Sequence, residues 1–271
     1  MPDTHQVNEC APIDSKHSPR IIEHIMNKSA KLAELRLSLA RYGLPPERPP
    51  VSLGHPQADA VLDGGLRSGA LHEIFAQGWS AGGFAVLLAL LAANKKPLFW
   101  IRPDYEAMEY GALSPNGFAE LGDDPRQLIL VRTRNAADAL CAANDILGCP
   151  HVGALLLEVE GMPKCLDLVA SRRLALAAGE SGVTVFLLRN GAQAEPSAAL
   201  TRWQVASGPS HGDNWGNPVF DIHLTRHRLG GLGHFLMQWN SNHVCFETAD
   251  IGAMVSAPAN RPAYPSRQRR A

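Results

Sequence analysis

The sequence predicts an α/β fold: a mainly parallel sheet covered by helices, extended by antiparallel strands toward the C-terminal end. Three observations predict it. Between residues 71 and 188, short apolar runs alternate with longer helical patterns, the form taken by parallel strands joined through covering helices. From Leu200 onward the pattern changes to period-two alternation interrupted by Gly-rich or polar breaks, as expected of antiparallel strands with one solvated face. Finally, 45% apolar residues in a chain of 271 are ample for a sizeable buried core.

The polar segment 1–19 is expected to be disordered. From Arg20 to Tyr42, Ile21, Ile25, Leu32, Leu35, Leu39 and Tyr42 recur mostly at spacings of three, four and seven, which predicts an amphipathic helix over 20–42. Gly43 ends it, and the proline-rich run 43–51 reads as a stiff linker. The face carrying Ile25, Leu32, Leu35 and Leu39 either packs on the chain's own core or docks in a partner's groove. A core domain is expected over 52–250. Its predicted strands are Leu71–Phe75, Pro97–Ile101, Leu128–Val131, Ala154–Val159 and Val183–Leu188. The predicted helices between them are Ala81–Ala93, Asp104–Leu113, Ala136–Leu147 and Leu166–Gly179. Trp203 and Val205, then Phe220, Ile222 and Leu224, then Phe235, Met237 and Trp239, then Val244 and Phe246, mark the antiparallel extension. Residues 207–217 read as a surface loop, and the proline- and arginine-bearing tail 251–271 as disordered.

A net charge of −1 and a pI near 6.8 supply no global basic field to draw the chain onto nucleic acid or anionic membrane. No segment has the apolar length of a membrane span and the N-terminus lacks a signal-peptide apolar region, so a cytoplasmic protein is expected. Five scattered cysteines without a CxxC pair, and eleven scattered histidines without HExxH, lead us to expect no metal site. No GxSxG or other nucleophilic triad signature is present.

The residues that bear on chemistry begin with Gly78, Gly82 and Gly83, between the first predicted strand and its helix. A helix N-terminus after a strand is a natural anion site. Yet the loop is followed by neither the lysine that meets β/γ-phosphates nor the hydroxyl that binds magnesium, so it reads as a degenerate phosphate loop and no nucleotide cofactor is expected. Glu158, after the apolar run 154–157, stands where a nucleotide-hydrolysing strand presents a carboxylate to a magnesium-bound water. Asp104 follows the second strand and serves equally as a helix cap. Both acidic positions are read as vestigial. Arg172 and Arg173 fall mid-helix, Arg132 and Arg134 follow a strand, and Arg202 and Trp203 alternate along another. Arg172, Arg173, Arg202 and Trp203 are candidates for binding a partner, although Trp203 is most simply core or interface.

The run Leu53-Gly54 … Leu62-Asp63-Gly64-Gly65-Leu66 … Gly69-Ala70-Leu71-His72-Glu73-Ile74 resembles the RecA recombinase family at the entrance to its first core strand. With Leu98–Ile101, Ala137–Leu140, Ser171–Ala178, Leu187–Arg189 and Ala199–Trp203, residues from about 52 to 240 are similar to ImuA, a RecA-like bacterial family associated with inducible mutagenesis. The resemblance implies a RecA-like three-layer core and an accessory role in SOS-induced, error-prone translesion DNA synthesis, without catalysis of its own. It implies as partners an ImuB-like inactive relative of Y-family polymerases, RecA, and an error-prone DnaE-type polymerase subunit, with DNA touched indirectly or weakly. Two alternatives stand beside it: an unorthodox nucleotide-dependent ATPase, and an SOS cell-division inhibitor of RecA-like fold.

Overall fold

The computed structural model describes residues 48–76, 80–105, 108, 111–209 and 217–249; the segments expected at 1–19, 20–42 and 251–271 lie outside them. The elements are α1 (Pro56–Val61), β1 (Leu71–Ala76), α2 (Ser80–Ala93), β2 (Leu98–Pro103), α3 (Pro115–Glu120), β3 (Leu128–Thr133), α4 (Ala136–Leu147), β4 (Ala154–Glu160), α5 (Leu168–Ser181), β5 (Thr184–Asn190), β6 (Thr201–Ser207), β7 (Val219–His227), β8 (Gly233–Asn240) and β9 (Cys245–Thr248).

The nine strands of the described residues form one sheet in the order β3-β2-β4-β5-β1-β6-β7-β8-β9. The pairs from β3 through β1 to β6 are parallel, and those from β6 to β9 are antiparallel. The change of direction therefore falls at β6, which is parallel to β1 on one side and antiparallel to β7 on the other.

Successive side chains of a strand point to opposite faces, and the core divides accordingly. On one face, Ile74, Trp100, Leu156, Phe186, Leu188 and Trp203 pack with α2. On the other, Leu71, Ile101, Leu155, Leu157, Val185 and Leu187 pack with Ala139 and Ala143 of α4 and Leu174 and Ala178 of α5. Helix α2 carries no charge, and Phe84 through Leu90 are all buried; a helix apolar around its circumference belongs inside.

The helix starts are legible in side chains. Ser114, Asn135 and Asp167 cap α3, α4 and α5 by accepting from the backbone N–H groups of Gly117, Asp138 and Ala170. Gly182, at φ +71°, ends α5 in the left-handed region.

The expected helix Asp104–Leu113 is shorter than its predicted limits: Asp104, Tyr105 and Met108 are helical, residues 111–114 are irregular, and a further short helix follows at Pro115–Glu120. Gly111 has φ +80°, which a right-handed helix does not admit, and its carbonyl accepts from Arg102 Nη1 at 2.9 Å.

The end of the proline-rich linker is attached to the core. Val51 and Leu66 exchange two backbone hydrogen bonds of 2.7 and 2.8 Å, and Ser68 Oγ donates to Pro49 O at 2.7 Å. Gly65 has to be glycine here: its φ is +137°, and a Cβ would stand 2.3 Å from the Val51 carbonyl oxygen. No described helix is long and apolar enough to cross a membrane.

Candidate functional site

In open α/β sheets, ligands bind outside the carboxyl ends of the parallel strands. Here that edge brings together the start of α2, Trp100 and Arg102 of β2, Glu158 of β4 and Asn190 of β5.

Gly78 lies outside the described residues, but Gly82 and Gly83 sit in the first turn of α2. Packing does not demand glycine at either. A Cβ on Gly82 would meet nothing within 4 Å, and one on Gly83 only the Phe220 ring at an ordinary 3.6 Å. A phosphate loop of the form GxxxxGK[ST] counted from Gly78 ends at Gly83, so Phe84 stands in the lysine position and Ala85 in the hydroxyl position. Both are fully buried. The Phe84 ring lies 6.0 Å from that of Trp203, 5.6 Å from Phe220 and 5.3 Å from Phe246, within the spacing of favourable aromatic pairs. The residue that would carry phosphate-binding charge instead ties α2 to β6, β7 and β9.

Glu158 is 5% exposed. Its Oε1 accepts from Asn190 Nδ2 at 3.0 Å, and its Oε2 accepts from Trp100 Nε1 at 3.1 Å and lies 3.3 Å from Arg102 Nε. Burial raises its pKa above the ordinary glutamate value, while the Arg102 charge and the hydrogen bonds from Trp100 and Asn190 work in the opposite direction. Both oxygens of this carboxylate are thus engaged by neighbouring side chains of the sheet.

Beside Glu158, Trp100 also lines an open groove of about 440 Å³ together with Gly82, Gly83, Val86, Phe118 and Leu130. Among the described residues, no charged side chain lines it. Asp104, after β2, pairs with Arg132 of β3 at 2.7 Å, both side chains partly exposed.

On the opposite face, Glu73 of β1 is 1% exposed. Its Oε2 accepts from Arg202 Nε at 3.1 Å, Arg202 Nη2 at 2.9 Å and Ser197 Oγ at 2.7 Å. Arg202 and Arg189 both lie over the Phe75 ring, with Cζ 5.4 and 5.8 Å from its centroid. Arg202 is thereby committed inside the protein. Trp203 is fully buried, with Nε1 donating to Thr201 Oγ1 at 2.7 Å; of the two placements expected for it, core is the one found.

Arg172 and Arg173 are exposed on α5, beside exposed Leu168, Val169 and Leu176. The candidates Ile25, Leu32, Leu35 and Leu39 fall outside the described residues. What the sequence did not reveal was the set of partners around Glu158 and Glu73. Trp100, Arg102 and Asn190 belong to separate strands, and only strand register brings them to Glu158.

No protein-family model matches the chain, and no curated protein matches it in sequence. Among solved structures, the crystal structure of the RadB recombinase is similar with a TM-score of 0.52 at 14% identity, covering 74% of this chain and 100% of that one. The likeness extends to the fold, and the three-layer core of this protein is RecA-like.

Proposed function

We propose that this protein is a non-catalytic RecA-like adaptor in SOS-induced, error-prone translesion DNA synthesis. The observation that carries the non-catalytic reading is Phe84. A residue in the phosphate-loop lysine position that is built into an aromatic core with Trp203, Phe220 and Phe246 leaves no cation there to meet a nucleotide. The hydrogen bonds that engage Glu158, and a groove beside α2 without charge among the described residues that line it, support the same reading.

Its action is through surfaces. Exposed Leu168, Val169 and Leu176 with Arg172 and Arg173 on α5, and exposed Ile129 and Leu130 on the open edge strand β3, are apolar groups that a protein partner would cover. The resemblance of residues 52–240 to ImuA supplies the process and the partners: an ImuB-like inactive polymerase relative, RecA and an error-prone DnaE-type polymerase subunit, in the cytoplasm.

The test is a damage-induced mutagenesis assay in a strain lacking the gene, with nucleotide binding measured on purified protein. Loss of induced mutation, restored by the wild-type chain but not by an Arg172→Glu/Arg173→Glu variant, and no ATP affinity in the micromolar range, are expected. Unchanged mutagenesis in the deletion strain overturns the mutasome role; micromolar ATP binding that Glu158→Gln abolishes overturns the non-catalytic one.

A further inference from the structure

We propose that Asp221, His223 and His234 form a binding site for a divalent transition-metal ion of the zinc class on the solvent face of the β7–β8 hairpin. Asp221 and His223 are two apart on β7 and share a face. His234 is the direct cross-strand partner of His223. The two imidazoles stack with centroids 3.9 Å apart and planes 14° from parallel, and Asp221 Oδ1 lies 2.5 Å from His234 Nε2 and 3.6 Å from His223 Nε2.

Zinc bonds of about 2.0–2.1 Å to nitrogen and oxygen hold neighbouring donors roughly 3 Å apart, and the two observed separations bracket that value. Two imidazoles and one carboxylate suit zinc, cobalt, nickel or copper rather than magnesium or calcium, which take oxygen. Both rings and the carboxylate are partly exposed, so an ion reaches them without opening the fold. The opposite faces of both strands are anchored by buried Phe220, Ile222 and Phe235, which pre-sets the donors on a rigid ladder. Three protein ligands leave coordination positions for water or for a donor from a partner.

The arrangement escapes a search for ligands close in sequence, because the third arrives through strand register. It is independent of the proposed adaptor role, and no mutagenesis phenotype decides it.

The test is equilibrium dialysis of the reduced full-length chain against Zn²⁺. The comparison set is Asp221→Asn, the double variant His223→Gln/His234→Gln, and His151→Gln as an exposed histidine elsewhere. The double variant is expected to bind one equivalent fewer than wild type. Asp221→Asn is expected to weaken that equivalent by at least the roughly 10–100-fold that losing even an outer-shell partner costs. His151→Gln is expected to match wild type. Zn²⁺ should also raise the Tm of wild type more than that of the double variant, since a ligand of the native state stabilises it. Equal stoichiometry and affinity in wild type and the double variant, or an equal loss in His151→Gln, overturns the proposal.

Discussion

The rings of Phe84 and Phe246 lie 5.3 Å apart at 50°, joining the first turns of the helix after β1 to the last strand of the sheet. Phe84→Ala removes a fully buried ring that touches three others, and is expected to cost about 3–5 kcal/mol, read as a lower urea midpoint at unchanged slope.

Phe84→Lys recreates the phosphate-loop residue in name only. An ammonium placed among Trp203, Phe220 and Phe246 lacks a counter-charge and pays the cost of desolvation. The expected outcome is a larger loss of stability than Phe84→Ala, with no ATP turnover. A well-folded Phe84→Lys protein that hydrolyses ATP would contradict this account.

Glu158→Ala should destabilise the fold by about 3–5 kcal/mol, the usual effect of breaking a buried pair from one side, because Trp100 Nε1 and Asn190 Nδ2 lose their acceptor and Arg102 its carboxylate. The pH dependence is also set by sign. Since burial raises the folded pKa of Glu158, its contribution favours the folded state below the unfolded value and declines as pH rises toward the folded one. Denaturation curves across that window should show the slope in wild type and its absence in Glu158→Gln.

His72 gives the opposite sign. It is fully buried, and desolvation takes its pKa from 6.5 to about 4, against the hydrogen bond to Arg67 O, which acts to raise it. With Nε2 against the Arg67 carbonyl at 3.1 Å, the neutral ring donates from Nε2 and accepts at Nδ1 from Thr201 Oγ1, 2.7 Å away. Stability from this neutral ring is present above 6.5 and is lost as pH falls toward 4. At about 1.4 kcal/mol per pKa unit the loss amounts to about 3 kcal/mol. Urea midpoints followed from pH 7 to 4 in wild type and His72→Gln should differ in this slope.

Gly65→Ala tests the attachment of the linker. The added methyl would meet the Val51 carbonyl and the residue would keep a φ of +137°, so more than the roughly 1 kcal/mol of an ordinary glycine replacement is expected. A Tm equal to that of wild type would show that the Val51–Leu66 pairing gives way without cost.

Several elements were legible in the sequence because they are set by neighbours along the chain. Helix α4 was expected over Ala136–Leu147 and is found there, since its apolar period and its Asn135 cap agree. Strands β1 to β5 fall within two or three residues of their expected limits, as continuous apolar runs between breakers must. The helix expected over Asp104–Leu113 begins where it was placed but stops short, because the positive φ of Gly111 and the Ser114-Pro115 start of a further helix interrupt an apolar and polar order that by itself fits one helix. The missing lysine was legible; that its place is occupied by a core aromatic was not.

The sequence by itself determined the alternation of strands and helices and the lack of a lysine and a hydroxyl after the glycines of the first loop, because periodicity, caps, breakers and motif spacing act over a few residues. Only the tertiary structure decided which side chains meet. Trp100, Arg102 and Asn190 close on Glu158, Arg202 turns inward to Glu73, and His234 arrives opposite His223, all through strand pairing between residues remote in sequence. Hydrogen-bonded register converts distance along the chain into contact across a few ångströms, and no local pattern carries that information.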